Sequence, residues 1–309
     1  MTKDLLLRAS SLVVLVAAGL VATACSVAVK AQGEPRNVVQ VVAAEDMWGN
    51  VAAQIGGRHA SVTSLVSSPN VDPHIFEATA EDAAAVALAR VVIYNGANYD
   101  DWMAQLVATG SAGSAGSTGS RKVIVVQHVL GVAGPAPNPH FWYATKKVGE
   151  VASAIEAALV RADPADAGYF AARLRVFQHS LSPLFRVIAE IRRQHGGAHV
   201  AFTEPVASYL IEEAGLASLT PMGFALSVEN GLEPSPGDTK TFEDLIAGHR
   251  LSALIYNSQT VSPATEQVRA EAAKVGVPVV AMSETIPTKE SFQAWQLAQD
   301  EALLRALGR

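Results

Sequence analysis

Short runs of valine and isoleucine alternate along the chain with stretches whose apolar residues recur every three or four positions. Continuous apolar runs bounded by turn residues are typical of strands buried on both faces of a parallel sheet. The first half predicts four strands, at 38–44, 61–66, 91–95 and 122–127. Helical spacing predicts three helices between them, at 46–55, 80–89 and 100–108. Strands separated by short helices indicate βαβ units.

The second half repeats this pattern. Its predicted strands are 199–203, 253–257 and 278–282. Its predicted helices are 206–214, 242–249, 263–275 and 289–307. The fold class is therefore α/β, with two lobes that each hold a mainly parallel sheet flanked by helices.

A long stretch without strand signal separates the two halves. Its apolar residues recur at helical spacing, Pro164 suits a first helical turn, and Gly196-Gly197 suits a stop. We predict a connecting helix at 164–197 between a first lobe at 37–163 and a second lobe at 198–309, with a metal cleft between the lobes. Pro183 should kink this helix, and two helices broken at Pro183 are the alternative.

The N-terminus has the layout of a secretory signal. Lys3 and Arg8 precede an apolar run at 10–24 that is too short for a membrane span of about 20 residues. We predict a signal peptide at 1–24. Cys25, the only cysteine, follows small residues in a stretch that resembles a lipobox, so we predict a lipid-anchored spacer at 25–36. The protein would then be exported and held on the outer side of the cytoplasmic membrane. The alternative is an ordinary signal peptide that contains a cysteine.

Composition excludes several classes of function. The net charge is −6 and the chain has no blocks of lysine or arginine, which argues against nucleic-acid binding. A single cysteine permits neither an internal disulfide nor a thiolate metal site. The Gly/Ser-rich segment 110–120 is a flexible linker by composition.

Two of the eight histidines stand in matching settings, Asp72-Pro73-His74 and Asn138-Pro139-His140. In each, proline fixes the backbone before the ring, and an Asp or Asn two residues back can hold the turn. Metal ligation needs imidazoles whose orientation is fixed in this way. We therefore predict that His74 and His140 bind a metal ion, the alternative being loop histidines without a special role.

Two glutamates follow predicted strands of the second lobe. Glu204 comes after the strand at 199–203, and Glu284 comes after the strand at 278–282. The carboxyl ends of parallel strands are where open α/β sheets place their ligand sites. Each glutamate is a candidate ligand, and a solvated acid that caps the following helix is the alternative.

Five motifs resemble the solute-binding proteins of metal-importing ABC transporters, the zinc/manganese or TroA-like family. They are VDPHIFEAT (71–79), YNGANYDDW (94–102), NPHFWY (138–143), TEPVASYLIEEAGL (203–216) and ETIP (284–287) with Trp295 downstream. The resemblance implies that His74 and His140 are metal ligands. It implies Glu204, five residues before Tyr209, as the third ligand. The family usually has Asp as the fourth ligand, where this chain has Glu284; Asn257 or Gln259 is the alternative.

The resemblance also implies the function. The protein would capture Mn²⁺ or Zn²⁺ as cargo, act as a monomer, and deliver the ion to an ABC permease and its ATPase. Two imidazoles and two carboxylates do not by themselves choose between these metals. The resemblance at Glu204 favours manganese.

Two other functions are alternatives. The first is a surface lipoprotein or adhesin with a structural metal. The second is a metal-dependent hydrolase, against which stands the absence of HExxH and Gly-x-Ser-x-Gly motifs, so we predict no enzyme activity. Among the other histidines, His59 is expected at the surface because it follows Gly-Gly-Arg in a turn. Glu77 is expected to cap or brace the neighbouring helix.

Overall fold

The computed structural model describes residues 38–68, 71, 74, 76–112, 121–134 and 137–308. The predicted signal peptide, Cys25 and the spacer lie outside the described residues, as do Asp72, Pro73 and most of the Gly/Ser segment. By its contacts, Asn37–Arg309 forms one compact unit. Within the described part of this unit, no helix has the length and apolar character needed to cross a membrane.

The first sheet has four parallel strands in the order β2-β1-β3-β4. They are β1 (Val39–Glu45), β2 (Ala60–Val66), β3 (Val91–Tyr94) and β4 (Lys122–Val125). The helices of this half are α1 (Asp46–Gly56), α2 (Ala80–Leu88), α3 (Asp101–Ala112), α4 (Val126–Val129) and α5 (Thr145–Ala162). The central strands β1 and β3 are almost wholly buried, which explains their continuous runs of valine and isoleucine.

The second sheet has the same order of parallel strands, β6-β5-β7-β8. They are β5 (His199–Phe202), β6 (Ala217–Ser218), β7 (Ala253–Asn257) and β8 (Val279–Met282). The helices are α8 (Ser208–Glu213), α9 (Met222–Glu229), α10 (Pro236–Ala247), α11 (Pro263–Lys274) and α12 (Phe292–Leu307). The predicted fold class, two α/β lobes with parallel sheets, is confirmed.

The connecting stretch is helical and interrupted once. Helix α6 (Ala167–Ser180) packs on α1 and α5 of the first lobe, and α7 (Ser182–His195) packs on α12 of the second. Leu181 lies between them with right-handed helical backbone angles, two residues before Pro183. The stretch is helical as predicted, but it forms two helices that break at Leu181, the stated alternative, rather than one helix kinked at Pro183. Because α6 and α7 each pack on a different lobe, the stretch links the two lobes through helical structure.

One hydrophobic core runs through both lobes and under the connecting helices. Its largest side chains include three fully buried tryptophans, Trp48, Trp142 and Trp295. Separate smaller clusters cover the outer face of each sheet. Burying such side chains contributes roughly 1.5–3 kcal/mol or more each.

Several elements differ from the sequence-based prediction. Strand β6 has two residues, too few to carry a recognisable pattern. Helices α4, α5 and α9 were not predicted, and α4 takes up the last two residues of the strand predicted at 122–127. Helix α10 begins at Pro236, six residues before the expected start at 242. In α5 the signal was present, because its buried residues recur at helical spacing.

The prediction of a surface position for His59 is wrong. This ring is 2% exposed, packs against Tyr169 with ring centroids 4.4 Å apart, and bonds through Nδ1 to the Asp166 carboxylate. Arg58 donates from Nε to Nε2 of the ring at 3.0 Å. The turn around His59 faces the connecting segment rather than solvent, which the local sequence does not reveal.

Candidate metal centre

The four predicted ligands meet at one point between the two lobes. Ligand atoms of His74, His140, Glu204 and Glu284 all lie within 4.8 Å of one another. Nε2 of His140 is 3.0 Å from Oε1 of Glu204 and 3.6 Å from Oε2 of Glu284. Nε2 of His74 is 3.7 Å and 3.4 Å from the same two oxygen atoms. Two imidazole nitrogens and two carboxylate oxygens thus point into a space of the size that one metal ion fills.

Asn138 fixes the orientation of His140. Its Oδ1 accepts hydrogen bonds from the backbone N–H of His140 at 2.9 Å and from Nδ1 of the ring at 2.7 Å. Because Nδ1 donates its proton there, the neutral ring has its free electron pair on Nε2, which faces the glutamates. Asn138 also donates from Nδ2 to the carbonyl of Pro205 in the second lobe, at 2.8 Å.

Asn95, directly after β3, holds the same loop from the other side. Its Nδ2 donates to the carbonyl of Pro139 at 2.8 Å, and its Oδ1 accepts from the indole of Trp48 at 3.0 Å. Pro139 precedes His140, so the hydrogen bond places the backbone from which this ring projects. The turn was predicted to be held by Asn138; the contribution of Asn95 was not predicted.

The turn after β3 is strained and strongly held. Gly96, Ala97 and Asn98 all have φ near +60 to +80°, which is costly for residues other than glycine. Asp100 stabilises this turn by accepting from the backbone N–H groups of Asn95 and Gly96. The strained turn presents Tyr99, whose hydroxyl donates to Oε2 of Glu284 across the cleft at 2.6 Å.

In the second lobe, both glutamates stand directly beyond strand ends. Glu204 follows β5 and Glu284 follows β8, as predicted. Gln259 braces the segment of Glu284, because its Oε1 accepts from the backbone N–H groups of Glu284 and Thr285 at 2.6 and 2.9 Å. Its Nε2 donates to the carbonyl of Val71 in the first lobe at 3.0 Å.

Asn257 and Gln259 were the alternatives to Glu284 as fourth ligand. The carbonyl oxygen of Gln259 is used by the two backbone donors just described. Oδ1 of Asn257 accepts from the backbone N–H of Gln259 at 3.0 Å. Neither amide oxygen is directed at the four-residue cluster, and the carboxylate of Glu284 is in place there.

The four side chains form two oppositely charged pairs. Burial lowers the pKa of His74, but its close contacts with the carboxylates of Glu204 and Glu284 outweigh burial and raise that pKa to about 11. The same balance raises the pKa of His140 to about 9. Burial raises the pKa of Glu284, yet its close contacts with His140 and His74 hold that pKa well below its usual range. The pKa of Glu204 is likewise lowered by the two histidines, against burial and the charge of Glu284.

The cluster is closed on all sides but one. Side chains of His140, Glu204 and Glu284 are fully buried, whereas that of His74 is 14% exposed. His74 lines a cleft of about 550 Å³ together with residues of both lobes, including Asn98, Pro205 and Glu229. This cleft therefore provides a path from solvent to the cluster past His74.

Two buried atoms of the cluster contact mainly each other. Nε2 of His140 and Oε1 of Glu204 form an ion pair at 3.0 Å, and among the described residues neither atom forms a hydrogen bond of acceptable geometry. A divalent ion bound at this point would be coordinated by both atoms at once, so the residues present fit a metal ion of mixed nitrogen and oxygen ligation.

A second group of ligand-type residues has a simpler explanation. His59, Asp163 and Asp166 also lie close together. The guanidinium of Arg58 donates to Nε2 of His59, and Nδ1 faces Asp166, so both ring nitrogens are occupied. Glu77 is exposed, and the capping box of α2 is formed by Thr79 and Asp82 instead.

The sequence as a whole matches a known family over almost all of the described unit. A family model described as ZnuA, zinc-uptake complex component A, periplasmic, matches residues 41–306. The chain belongs to this family. The family predicted from the five motifs is therefore confirmed, and it is a family of solute-binding proteins.

The chain is also similar to two metal-binding proteins. The chain is similar to the manganese-binding lipoprotein MntA of Bacillus subtilis (strain 168), with 25% identity over 227 residues, 71% of this chain and 71% of that protein. It is similar to the zinc-binding protein TroA of Treponema pallidum (strain Nichols), with 26% identity over 247 residues, 77% of this chain and 75% of that protein.

The fold also matches a solved structure. The periplasmic zinc-binding protein TroA from Treponema pallidum superposes with a TM-score of 0.71 at 20% sequence identity, covering 87% of this chain and 99% of that one. At this level of identity the likeness establishes the fold. This chain therefore shares the fold of that zinc-binding protein.

Proposed function

We propose that this protein captures Mn²⁺ or Zn²⁺ outside the cytoplasmic membrane and delivers it to an ABC import permease. In this proposal His74, His140, Glu204 and Glu284 are the four ligands of the transported ion. Membership of the ZnuA family supports the transport role. The names of the relatives, one manganese-binding and one zinc-binding, support the choice of these two metals.

One observation carries the assignment of the ligands. Two imidazole nitrogens and two carboxylate oxygens, brought together from both lobes, converge within 4.8 Å at a buried point. Two neutral imidazoles and two carboxylates give a +2 ion a formally neutral environment. This charge balance offsets the cost of burying the ion, which would be several kcal/mol for an unpaired charge.

The donor set supports a receptor rather than a hydrolase. A catalytic zinc site keeps one coordination position open for water, with three protein ligands. Here four protein side chains surround the site, and three of them are fully buried. Such a closed set suits an ion that is carried without reacting.

The ligand arrangement also suggests how the permease distinguishes loaded from empty receptor. His74 and His140 belong to the first lobe, Glu204 and Glu284 to the second, and we take 37–163 and 198–309 as the two units that the ion draws together. Helices α6 and α7 limit this motion because each packs on one lobe. Small-angle scattering and hydrogen exchange should show a more compact and better protected cleft with metal; identical profiles in both states would count against this motion.

We further propose that Cys25 carries the lipid anchor. The resemblance of 22–25 to a lipobox supports it, as does the lipoprotein among the relatives. Mass spectrometry of the mature protein should show a diacylglyceryl-modified N-terminal Cys25, and Cys25→Ser should release the protein from membranes. An unmodified mature N-terminus at another residue would contradict the anchor.

Metal titration of the chelator-stripped protein tests the main proposal. We expect the wild type to bind one equivalent of manganese or zinc reversibly, and His74→Ala and Glu284→Ala to lose that binding while keeping their fold. A folded wild type that takes up neither metal would overturn the proposal. Metal that leaves only when the protein unfolds would instead support the alternative of an adhesin with a structural ion.

A further inference from the structure

The two glutamates of the centre use their oxygen atoms unequally. Oε1 of Glu204 and Oε2 of Glu284 face the histidine nitrogens. The other oxygen of each carboxylate, Oε2 of Glu204 and Oε1 of Glu284, accepts a hydrogen bond from Nδ2 of Asn257. One amide nitrogen at the end of β7 thus holds back one oxygen of both candidate ligands.

The orientation of Asn257 is fixed by its other contacts. Its Oδ1 accepts from the backbone N–H of Gln259 at 3.0 Å, and its own backbone N–H donates to the hydroxyl of Thr203 at 3.2 Å. The side chain is fully buried. Rotating the amide by half a turn would bring Oδ1 against two carboxylates, so the structure defines which end faces them.

The two glutamates are held to different degrees. Oε1 of Glu284 also lies 3.4 Å from the hydroxyl of Thr260, which donates to it. Oε2 of Glu284, which faces the histidines, accepts from Tyr99 at 2.6 Å. For Oε2 of Glu204, the hydrogen bond from Asn257 is the contact that holds it away from the centre. Removing Asn257 would therefore free Glu204 more than Glu284.

This arrangement has a consequence for coordination number. With one oxygen withheld from each carboxylate, the four side chains offer two nitrogens and two oxygens. Four ligands suit tetrahedral zinc, whereas manganese favours an octahedral set rich in oxygen and gains when a carboxylate binds through both oxygens.

We propose that Asn257 determines the metal preference of the centre by restricting Glu204 and Glu284 to one ligand oxygen each, and that the centre therefore selects zinc over manganese. This inference rests on the proposed function, because it assumes that the four residues bind the cargo ion. It differs from the preference for manganese that the resemblance at Glu204 implies. The presence of a glutamate at position 204 does not show that one of its carboxylate oxygens accepts a hydrogen bond from Asn257.

The test compares zinc and manganese affinities of the wild type with those of Asn257→Ala and Asn257→Ser. We expect the wild type to favour zinc, and both variants to reduce the ratio of zinc to manganese affinity by about 10-fold or more, the usual size of effects from residues that orient metal ligands. Thr260→Val is the matched control within the site, and we expect a smaller change because Asn257 still holds both carboxylates. Gln267→Ala, on the exposed side of α11 and outside the cleft, should leave the ratio unchanged.

Cobalt provides a readout of coordination number that does not depend on affinity. Four-coordinate Co²⁺ has intense visible bands, and five- or six-coordinate Co²⁺ has weak ones. We expect intense bands in the wild type and weaker bands in Asn257→Ala, where Glu204 is free to bind through both oxygens. Asn257→Ser, which retains a small polar group, provides the same comparison if the alanine variant does not fold.

The possible failures are distinguishable. If the wild type binds no metal, or if His74→Ala binds as well as the wild type, the proposed function itself fails. If the wild type binds through His74 but the Asn257 variants keep the same metal ratio and the same cobalt spectrum, the function stands and the role of Asn257 is wrong. A wild-type preference for manganese would also overturn the inference.

Discussion

The two lobes carry the same three residues at the same place and use them differently. Ile93-Tyr94-Asn95 ends β3, and Ile255-Tyr256-Asn257 ends β7, the corresponding strand in a sheet of identical order. Both asparagines are fully buried. Asn95 donates to the backbone of the loop that carries His140, whereas Asn257 donates to the side chains of Glu204 and Glu284. An asparagine at a strand end therefore positions a loop that carries a candidate ligand in one lobe and two candidate carboxylate ligands in the other.

Two buried glutamates at corresponding strand ends also differ between the lobes, in the direction of their pKa shifts. Glu45 ends β1 and Glu204 follows β5, its counterpart in the second sheet. Burial, and then the charge of Asp100, raise the pKa of Glu45 well above its usual range. The pKa of Glu204 is lowered because two histidines outweigh its burial. Position in the fold thus does not decide the charge of a glutamate; its partners do.

Replacing each of these two glutamates by glutamine should give the largest difference in metal affinity between the two lobes. Glu204→Gln removes an ionised ligand, and we expect metal affinity to fall at least about 100-fold, or about 2.8 kcal/mol at about 1.4 kcal/mol per tenfold. Glu45→Gln replaces a carboxyl whose pKa is raised well above its usual range by a neutral amide of similar shape, and should change affinity less than threefold. Isothermal titration measures both, and equal losses in the two variants would refute the assignment of charge.

The pH dependence of metal binding tests whether the two histidines of the first lobe are positively charged in the metal-free protein. In the metal-free protein the raised pKa values of His74 and His140, about 11 and 9, keep both rings protonated at pH 7. A bound metal requires neutral rings, so binding should release about two protons and strengthen as pH rises, by up to about 100-fold per pH unit below pH 8. Calorimetry in buffers with different ionisation heats counts these protons, and a release near zero would show that the histidines are neutral in the metal-free protein.

Asn95→Ala should separate the roles of the two asparagines. It leaves the indole of Trp48 and the carbonyl of Pro139 without their partner, so we expect a loss of about 1–3 kcal/mol in the free energy of unfolding. Zinc and manganese affinities should fall together, by about 10-fold, since the whole His140 loop is less well placed. Urea unfolding and titration with both metals test this expectation. A selective loss of one metal would assign to Asn95 the role inferred for Asn257.

The smallest effects should come from the helix caps, one in each lobe. Thr79 and Ser262 form capping boxes at the starts of α2 and α11. Replacing either by alanine should cost about 1 kcal/mol of unfolding free energy. Metal affinity should stay unchanged in both, because neither side chain contacts the candidate centre. If a cap variant weakened metal binding tenfold, a loss of stability by itself would reduce metal affinity. The affinity losses expected above would then have to be corrected for the loss of stability in each variant.

Much of this fold was predictable because its central strands are buried on both faces. Seven of the strands were predicted, although β2 is partly exposed and contains serine and threonine, and the two residues of β6 gave no signal. Helices α4, α5 and α9 and the first turns of α10 were missed, α9 being short and of nearly uniform apolar character on several sides. The surface prediction for His59 failed because burial there depends on the connecting segment, more than 100 residues away in sequence.

In the candidate site, too, local features were predictable from the sequence and long-range contacts were not. The repeated Pro-His pairs and the glutamates after strands identify four side chains from local sequence, because proline, strand ends and ligand chemistry are local properties. The roles of Asn95, Tyr99 and Asn257 could not be derived in this way. The repeated Ile-Tyr-Asn was a visible signal, but it does not indicate what each asparagine contacts.

By itself, then, the sequence determined the family, the alternation of strands and helices, and the types of atom offered to an ion. Each of these follows from residue type, spacing or motif along a short stretch of chain. Only the tertiary structure decided that the four side chains meet, that the histidines are charged in the metal-free protein, and that one oxygen of each glutamate is held back. These properties depend on distances between residues far apart in the chain, such as Asn257 and Glu204, and on the burial that sets the strength of their interaction.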